Sequence, residues 1–251
     1  MKQFIAMTRV SLRQVIGGRR IIAVGLVALL PPIVTLTTIG SYVDRGALRQ
    51  FHDATIGVIF LIVIPVVALI LGSGALGDER RDGTLSFLVL RPIRREAIVG
   101  AKLGAAATAT FIVAGSGALL SALVLGGMSG VWDPLIPLLI SVAIGSIAYA
   151  SVFVILGFIT ARAVLIGLIY VFVWESGISF AADSLATVSL FRIGLSAYTG
   201  MVEFAVTDIG EVLGSVQPGV GGALVKIAVL AAAAVAIGAS FLRKRDLVTK
   251  D

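Results

Sequence analysis

Ten charged residues crowd into the stretch from Gly77 to Lys102 of a chain in which only 14% of residues are charged. Asp78, Glu79, Arg80, Arg81 and Asp82 run together, and Arg91, Arg94, Arg95, Glu96 and Lys102 follow. Carboxylates beside guanidiniums make ion pairs and charge-assisted hydrogen bonds. The apolar heptapeptide Thr84-Leu85-Ser86-Phe87-Leu88-Val89-Leu90 lies between the charged pieces, and Pro92 ends it. A disordered linker has no use for such an apolar centre. A segment that docks on a partner does.

Other chemistry is sparse. There is no cysteine, so disulfides and thiolate metal sites are excluded. The single histidine, His52, is expected in a loop as a solvated side chain. The chain holds no phosphate-binding G-x-x-x-x-G-K-[ST] sequence, no H-E-x-x-H and no Ser-His-Asp set with support around His52. Enzyme chemistry within this polypeptide is therefore not expected, and no cofactor is expected to bind it. Glu175 stands apart, because it sits in an apolar run. A carboxylate in hydrocarbon costs roughly a few kcal/mol and by default suggests function. It is read foremost as a structural cap for outer helices. Protonation, pairing with Arg192 and a substrate role stay open.

The elements that must position these groups follow from composition. Hydrophobic residues make up 58% of the chain and charged residues 14%. That balance excludes an ordinary soluble domain. A bilayer-spanning helix needs about 20 apolar residues. Six runs qualify: Ile21 to Gly40, Ile56 to Leu76, Leu103 to Leu125, Leu135 to Phe158, Val164 to Phe180 and Gly222 to Leu242. They are continuous rather than alternating, which excludes a membrane β-barrel. The net charge of +6 does not indicate nucleic acid, because the bases are sorted by loop. Sixteen of the twenty lie before span one, between spans two and three, between four and five, or after span six. The positive-inside rule then places both termini in the cytoplasm, which needs an even number of spans.

Ahead of span one, Lys2, Arg9, Arg13 and Arg20 fall on one narrow stripe at helical spacing. Residues 2–20 are expected to form a helix lying in the inner membrane interface, its bases toward lipid phosphates. The plainer alternative is a topology signal. Pro31-Pro32 in span one and Pro65 in span two mark either a bend beside a pathway or a packing feature. Small residues in span three (Gly104 to Ala107, Gly115 to Ala118) and span six (Ala231 to Ala236, Gly238) permit close helix approach, within the bundle or between copies. Residues 181–221 are too apolar for a free loop and too broken for a span. They are expected to form short helices in the outer leaflet.

The spacing Glu79-x-x-x-Gly83-Thr84-Leu85, then Leu88, Arg91-Pro92, Arg94-Arg95 and Gly100-x-Lys102 resembles the permease subunit of type-2 ABC transporters. Tyr170-Val171-Phe172-Val173-Trp174-Glu175 more weakly resembles the fifth span of the branch containing the nitrous-oxide-reductase maturation permease. The resemblance covers essentially the whole chain as a single all-α membrane domain, 1–251. It implies two permease chains, a second copy or a related one, above two separate ATPase subunits that hold ATP and magnesium. It also implies that residues 77–102 carry a coupling helix. Gly83 would allow the turn and Thr84 would cap the helix. Leu85, Phe87 and Leu88 would give the docking face, with Arg91 and Pro92 closing the segment. Glu79, Arg80, Arg81, Arg94 and Arg95 would meet the ATPase. The expected protein is a multi-pass exporter of a prokaryotic plasma membrane, moving a small hydrophobic or lipid-like compound. Two alternatives are a proton-coupled transporter using Glu175 and a membrane scaffold that does not transport.

Overall fold

The computed structural model describes residues 2–17, 20–39, 46–84, 93–178, 189–202 and 219–244. Within these residues all regular structure is helical. In chain order the helices are α1 (Lys2–Ile16), α2 (Arg20–Ala28), α3 (Leu30–Ile39), α4 (Ala47–Arg81), α5 (Arg95–Ser129), α6 (Leu135–Ile159), α7 (Ala163–Ile169), α8 (Leu190–Thr199) and α9 (Gly219–Lys244). Five stretches are long and apolar enough to cross a membrane: Arg20–Ile39, α4, α5, α6 and Gly219–Arg243. The expected fifth span falls on α7 and its π-helical continuation Tyr170–Ile178. Its apolar part, Ala163–Glu175, is shorter than the roughly 20 residues of a full crossing.

Helix α6 is the centre of the bundle, packing against α4, α5, α7, α8 and α9. Of its most apolar window 72% is buried, against 17% for Gly219–Arg243. Close crossings set this arrangement. A Cβ on Gly157 of α6 would lie 2.1 Å from the Ser73 carbonyl oxygen of α4, so only glycine admits the contact. Likewise Gly117 of α5 meets the backbone of Ala28 in α2. The small residues of span three thus serve packing inside the chain: Ala105, Ala106, Ala109 and Ala118 are buried. Outward, Ile22, Leu26, Ile33, Val225, Val229 and Val173 are exposed, as lipid-facing side chains are.

The structure corrects several sequence expectations. The first helix stops at Ile16, with the Gly17 amide bonded to the Arg13 carbonyl at 3.0 Å. Arg20 therefore starts α2, and the basic stripe of residues 2–20 is not carried by one helix. Helix α1 packs along α5, with Ser11 buried. Span one has a turn at Leu29, before Pro31-Pro32, and then stays helical.

Span two begins at Ala47 rather than Ile56. Arg49, Gln50, His52 and Asp53 read as a loop in sequence because their charge hides a helical face. Arg49 and Asp53 sit outside as an i,i+4 pair, while Phe51, His52, Thr55 and Ile56 turn inward. His52 is thus buried, not solvated. The first part of α4 is π-helical, over Phe51–Ile56 and Val58–Val63, and regular α-helix resumes at Ile64-Pro65. Pro65 has no N–H for the carbonyl one turn back, and widening the preceding turns relieves the clash of its ring.

Candidate functional site

Polar contacts centred on Asp78, Glu79, Arg80 and Arg243 tie one end of the bundle together. Asp78 of α4 accepts from Arg20 of α2, Nη1 at 2.5 Å and Nη2 at 3.3 Å, and also from Arg81. Glu79 pairs with Lys102 of α5, whose Nζ also donates to Gln14 Oε1 of α1 at 3.2 Å. Arg80 donates to the carbonyls of Phe158 and Ile159 at 2.8 and 2.7 Å. These are orphan carbonyls at the C-terminus of α6, where a cation also meets the negative end of the helix dipole. Arg243 of α9 pairs with Glu96 in the first turn of α5.

The pairs differ in strength. Arg20 and Asp78 are 49% and 35% exposed, so their pairing is screened and stabilises by at most about 1 kcal/mol. Lys102 and Glu79 are 3% and 13% exposed. Charges so enclosed depend on each other, because the loss of one leaves the other without solvent or counter-charge.

Helix α4 ends at Arg81, and Gly83 takes φ +68°, a left-handed conformation that side chains with a Cβ disfavour. The Thr84 hydroxyl donates back to the Glu79 carbonyl at 3.3 Å. It therefore closes the preceding helix, whereas the sequence reading had it capping the following one. Leu85, Phe87, Leu88, Arg91 and Pro92 lie outside the described residues. The chain is described again from Ile93, and the Arg94 carbonyl accepts the first amides of α5. Arg9 and Arg13 are exposed on α1, while the side chain of Lys2 lies outside the description. The sequence reading aimed Glu79 and Arg80 at a partner. The structure turns both toward the chain's own helices.

Glu175 occupies a second polar centre. Its Oε1 accepts from the Tyr170 hydroxyl at 2.7 Å and the Leu190 amide at 2.8 Å, with the Phe191 amide at 3.4 Å. Its Oε2 accepts from the Ser189 hydroxyl at 2.5 Å. The π-helix over Tyr170–Ile178 makes this possible, because a five-residue spacing brings Tyr170 over Glu175. The carboxylate thus sits on the first amides of α8, where Ser189 also accepts from the Arg192 amide. Such a position satisfies orphan donors and faces the positive end of the helix dipole.

Sequence reasoning passed over Gln14, Asp78 and Lys102 as site residues, and Ser189 as a cap. Asp78 and Arg81 are legible as an i,i+3 pair. Ser189 is legible as an N-cap ahead of Leu190-Phe191. The pairing of His52 Nε2 with the Tyr198 hydroxyl, at 2.8 Å, carries no local signal. Burial pushes the Tyr198 phenol well above its ordinary range, so it stays neutral. Among the described residues, no group of histidines and carboxylates is arranged to hold a metal.

A multi-pass helical bundle with a charged, interlocked end defines an integral membrane protein. Residues 19–176, more than half of the chain, match the family described as ABC-2 family transporter protein. The chain belongs to that family and is a membrane permease component of an ABC transporter. A search among curated proteins finds none that matches.

Proposed function

We propose that this chain is the permease subunit of an ATP-driven exporter that works as a dimer above two separate ATPase subunits. The observation that carries the reading is the family match, which spans the whole of 77–102 and its two flanking helices. The Glu79–Lys102 pair supports it, since it joins the two ends of the segment to each other and to α1. A push on residues 85–92 would then reach α1, α4 and α5 together.

In this reading Leu85, Phe87 and Leu88 enter the ATPase cleft, with Arg94 and Arg95 beside them. Glu79 and Arg80 hold the segment's base. Helix α7 and its continuation complete a sixth crossing, both termini are cytoplasmic, and the membrane is a prokaryotic plasma membrane. The cargo is a small hydrophobic or lipid-like compound. Glu175 is assigned as a structural cap: four donors already address its oxygens, and this supports a cap over a mobile proton carrier.

The test is co-purification from membranes in mild detergent. Leu85→Asp/Arg94→Glu should lose an ATP-binding subunit that wild type retains, without loss of folded permease. Glu79 is left intact, because its replacement would disturb the fold itself. A wild type that brings down no ATPase would sink the coupling proposal.

A further inference from the structure

At the charged end of the bundle, a cavity of about 210 Å³ opens between the C-terminal ends of α4 and α6 and the start of α7. Ser73, Gly77 and Gly157, where α4 and α6 cross, line it. Among the described residues its charged lining is Arg80 and Arg81, with no carboxylate. The bonds from Arg80 to the Phe158 and Ile159 carbonyls fix the guanidinium in place, and neutral carbonyls cancel none of its charge. Arg81 is half exposed and shares the one Asp78 carboxylate with Arg20. Asp82 lines a separate cavity, beside Arg20 and Lys102. Arg162 is exposed on the turn between α6 and α7 that borders the site. In that turn the Thr160 hydroxyl accepts the Arg162 amide at 3.1 Å and keeps its own proton to donate. Immediately beside these bases the surface turns apolar, with Ile159, Val164, Leu165 and Ile166 exposed. A basic concavity and a lipid-facing patch are therefore contiguous.

We propose that this cavity binds the headgroup of an anionic phospholipid. Its phosphate meets Arg81, Arg162 and the Thr160 hydroxyl beside the fixed charge of Arg80, and its acyl chains lie along Ile159, Val164 and Leu165. The lining selects an anion, since it holds two guanidiniums and no carboxylate. Guanidiniums hold phosphate through paired, charge-assisted hydrogen bonds, and basic pockets between membrane helices take anionic headgroups for that reason. The contiguous apolar face selects a lipid over a soluble phosphate. At about 210 Å³ the cavity is smaller than the roughly 300–1,000 Å³ that encloses a whole ligand, so a headgroup enters and the chains stay in the bilayer. Helices α4, α6 and α7 meet here, so a bound lipid bridges the base of the 77–102 segment to the central helix. The inference goes beyond the exporter reading and does not depend on it.

The full chain in mild detergent is titrated with phosphatidylglycerol and with phosphatidylcholine, and retained lipids are counted by native mass spectrometry. Wild type should retain one phosphatidylglycerol at least about tenfold more tightly than phosphatidylcholine, and Arg81→Gln and Arg162→Gln should each weaken it about fivefold, the contribution of one interfacial arginine. Ala161→Phe keeps the charge and fills the cavity, so it should abolish retention while helical content stays unchanged. Arg9→Gln/Arg13→Gln removes two exposed bases of α1, outside the cavity, and should leave the affinity as in wild type. Equal retention of the two lipids, or full affinity in Ala161→Phe, overturns the proposal. A loss in the α1 variant as large as in the cavity variants also overturns it, because the attraction is then a diffuse field and not a site. Inorganic phosphate should not displace the lipid, and displacement would overturn the lipid assignment in favour of a soluble anion. No ATPase takes part, so failure here leaves the co-purification test standing, and the reverse also holds.

Discussion

Lys102 carries its ammonium into a site only 3% exposed, and Glu79 and Gln14 receive it there. Lys102→Ala would strand the Glu79 carboxylate, which typically costs about 3–5 kcal/mol. A lowered unfolding midpoint by circular dichroism in detergent checks this. The double variant Lys102→Met/Glu79→Leu should recover much of the loss, since no buried charge is then left alone. Glu175 is a separate case. Glu175→Ala leaves the Leu190 and Phe191 amides and two hydroxyls without their acceptor, at about 1–3 kcal/mol per buried group. Hydrogen exchange should then rise in 190–199 and stay unchanged in α6. If exchange in α8 is unaltered while transport becomes insensitive to a proton gradient, the cap assignment is wrong and the proton role is right.

Helices in this bundle meet through glycine where they cross. The α4–α6 crossing at Ser73 and Gly157 leaves no space for a side chain. Gly157→Val should force the helices apart and move the Arg80 anchor on the Phe158 and Ile159 carbonyls with them. The expected outcome is a chain that inserts yet migrates as an expanded, protease-sensitive species. Wild-type protease resistance would contradict the crossing. A control on the exposed face, Val225→Ala, should change little, because that side chain is largely exposed. The π-helical stretches of α4 and of Tyr170–Ile178 belong to the same scale. Each re-aims side chains that a regular helix would point elsewhere, bringing His52 to Tyr198 and Tyr170 to Glu175.

For the whole molecule, topology is the property to test, and the absence of cysteine gives a clean background for it. If the proposed arrangement holds, with both termini cytoplasmic and six crossings, Asp133→Cys and Asp183→Cys should react with a membrane-impermeant maleimide on intact cells. Arg162→Cys should react only after lysis. Labelling of position 162 from outside would invert the orientation, and protection of position 183 would remove the sixth crossing.

Sequence by itself determined the class of this protein. Continuous apolar runs admit only helices in a bilayer, because backbone groups there must be satisfied within the segment. The spacing from Glu79 to Lys102 was enough to point to the family. What sequence could not decide is which charges face out. Glu79 and Lys102 lie 23 positions apart, and only the antiparallel return of α5 along α4 closes that distance. His52 and Tyr198 lie 146 apart and meet across a cluster with Phe51 and Phe60. Local spacing reports pairs one helical turn apart. Pairs between helices depend on crossing geometry, which here is set by where glycines let two backbones touch.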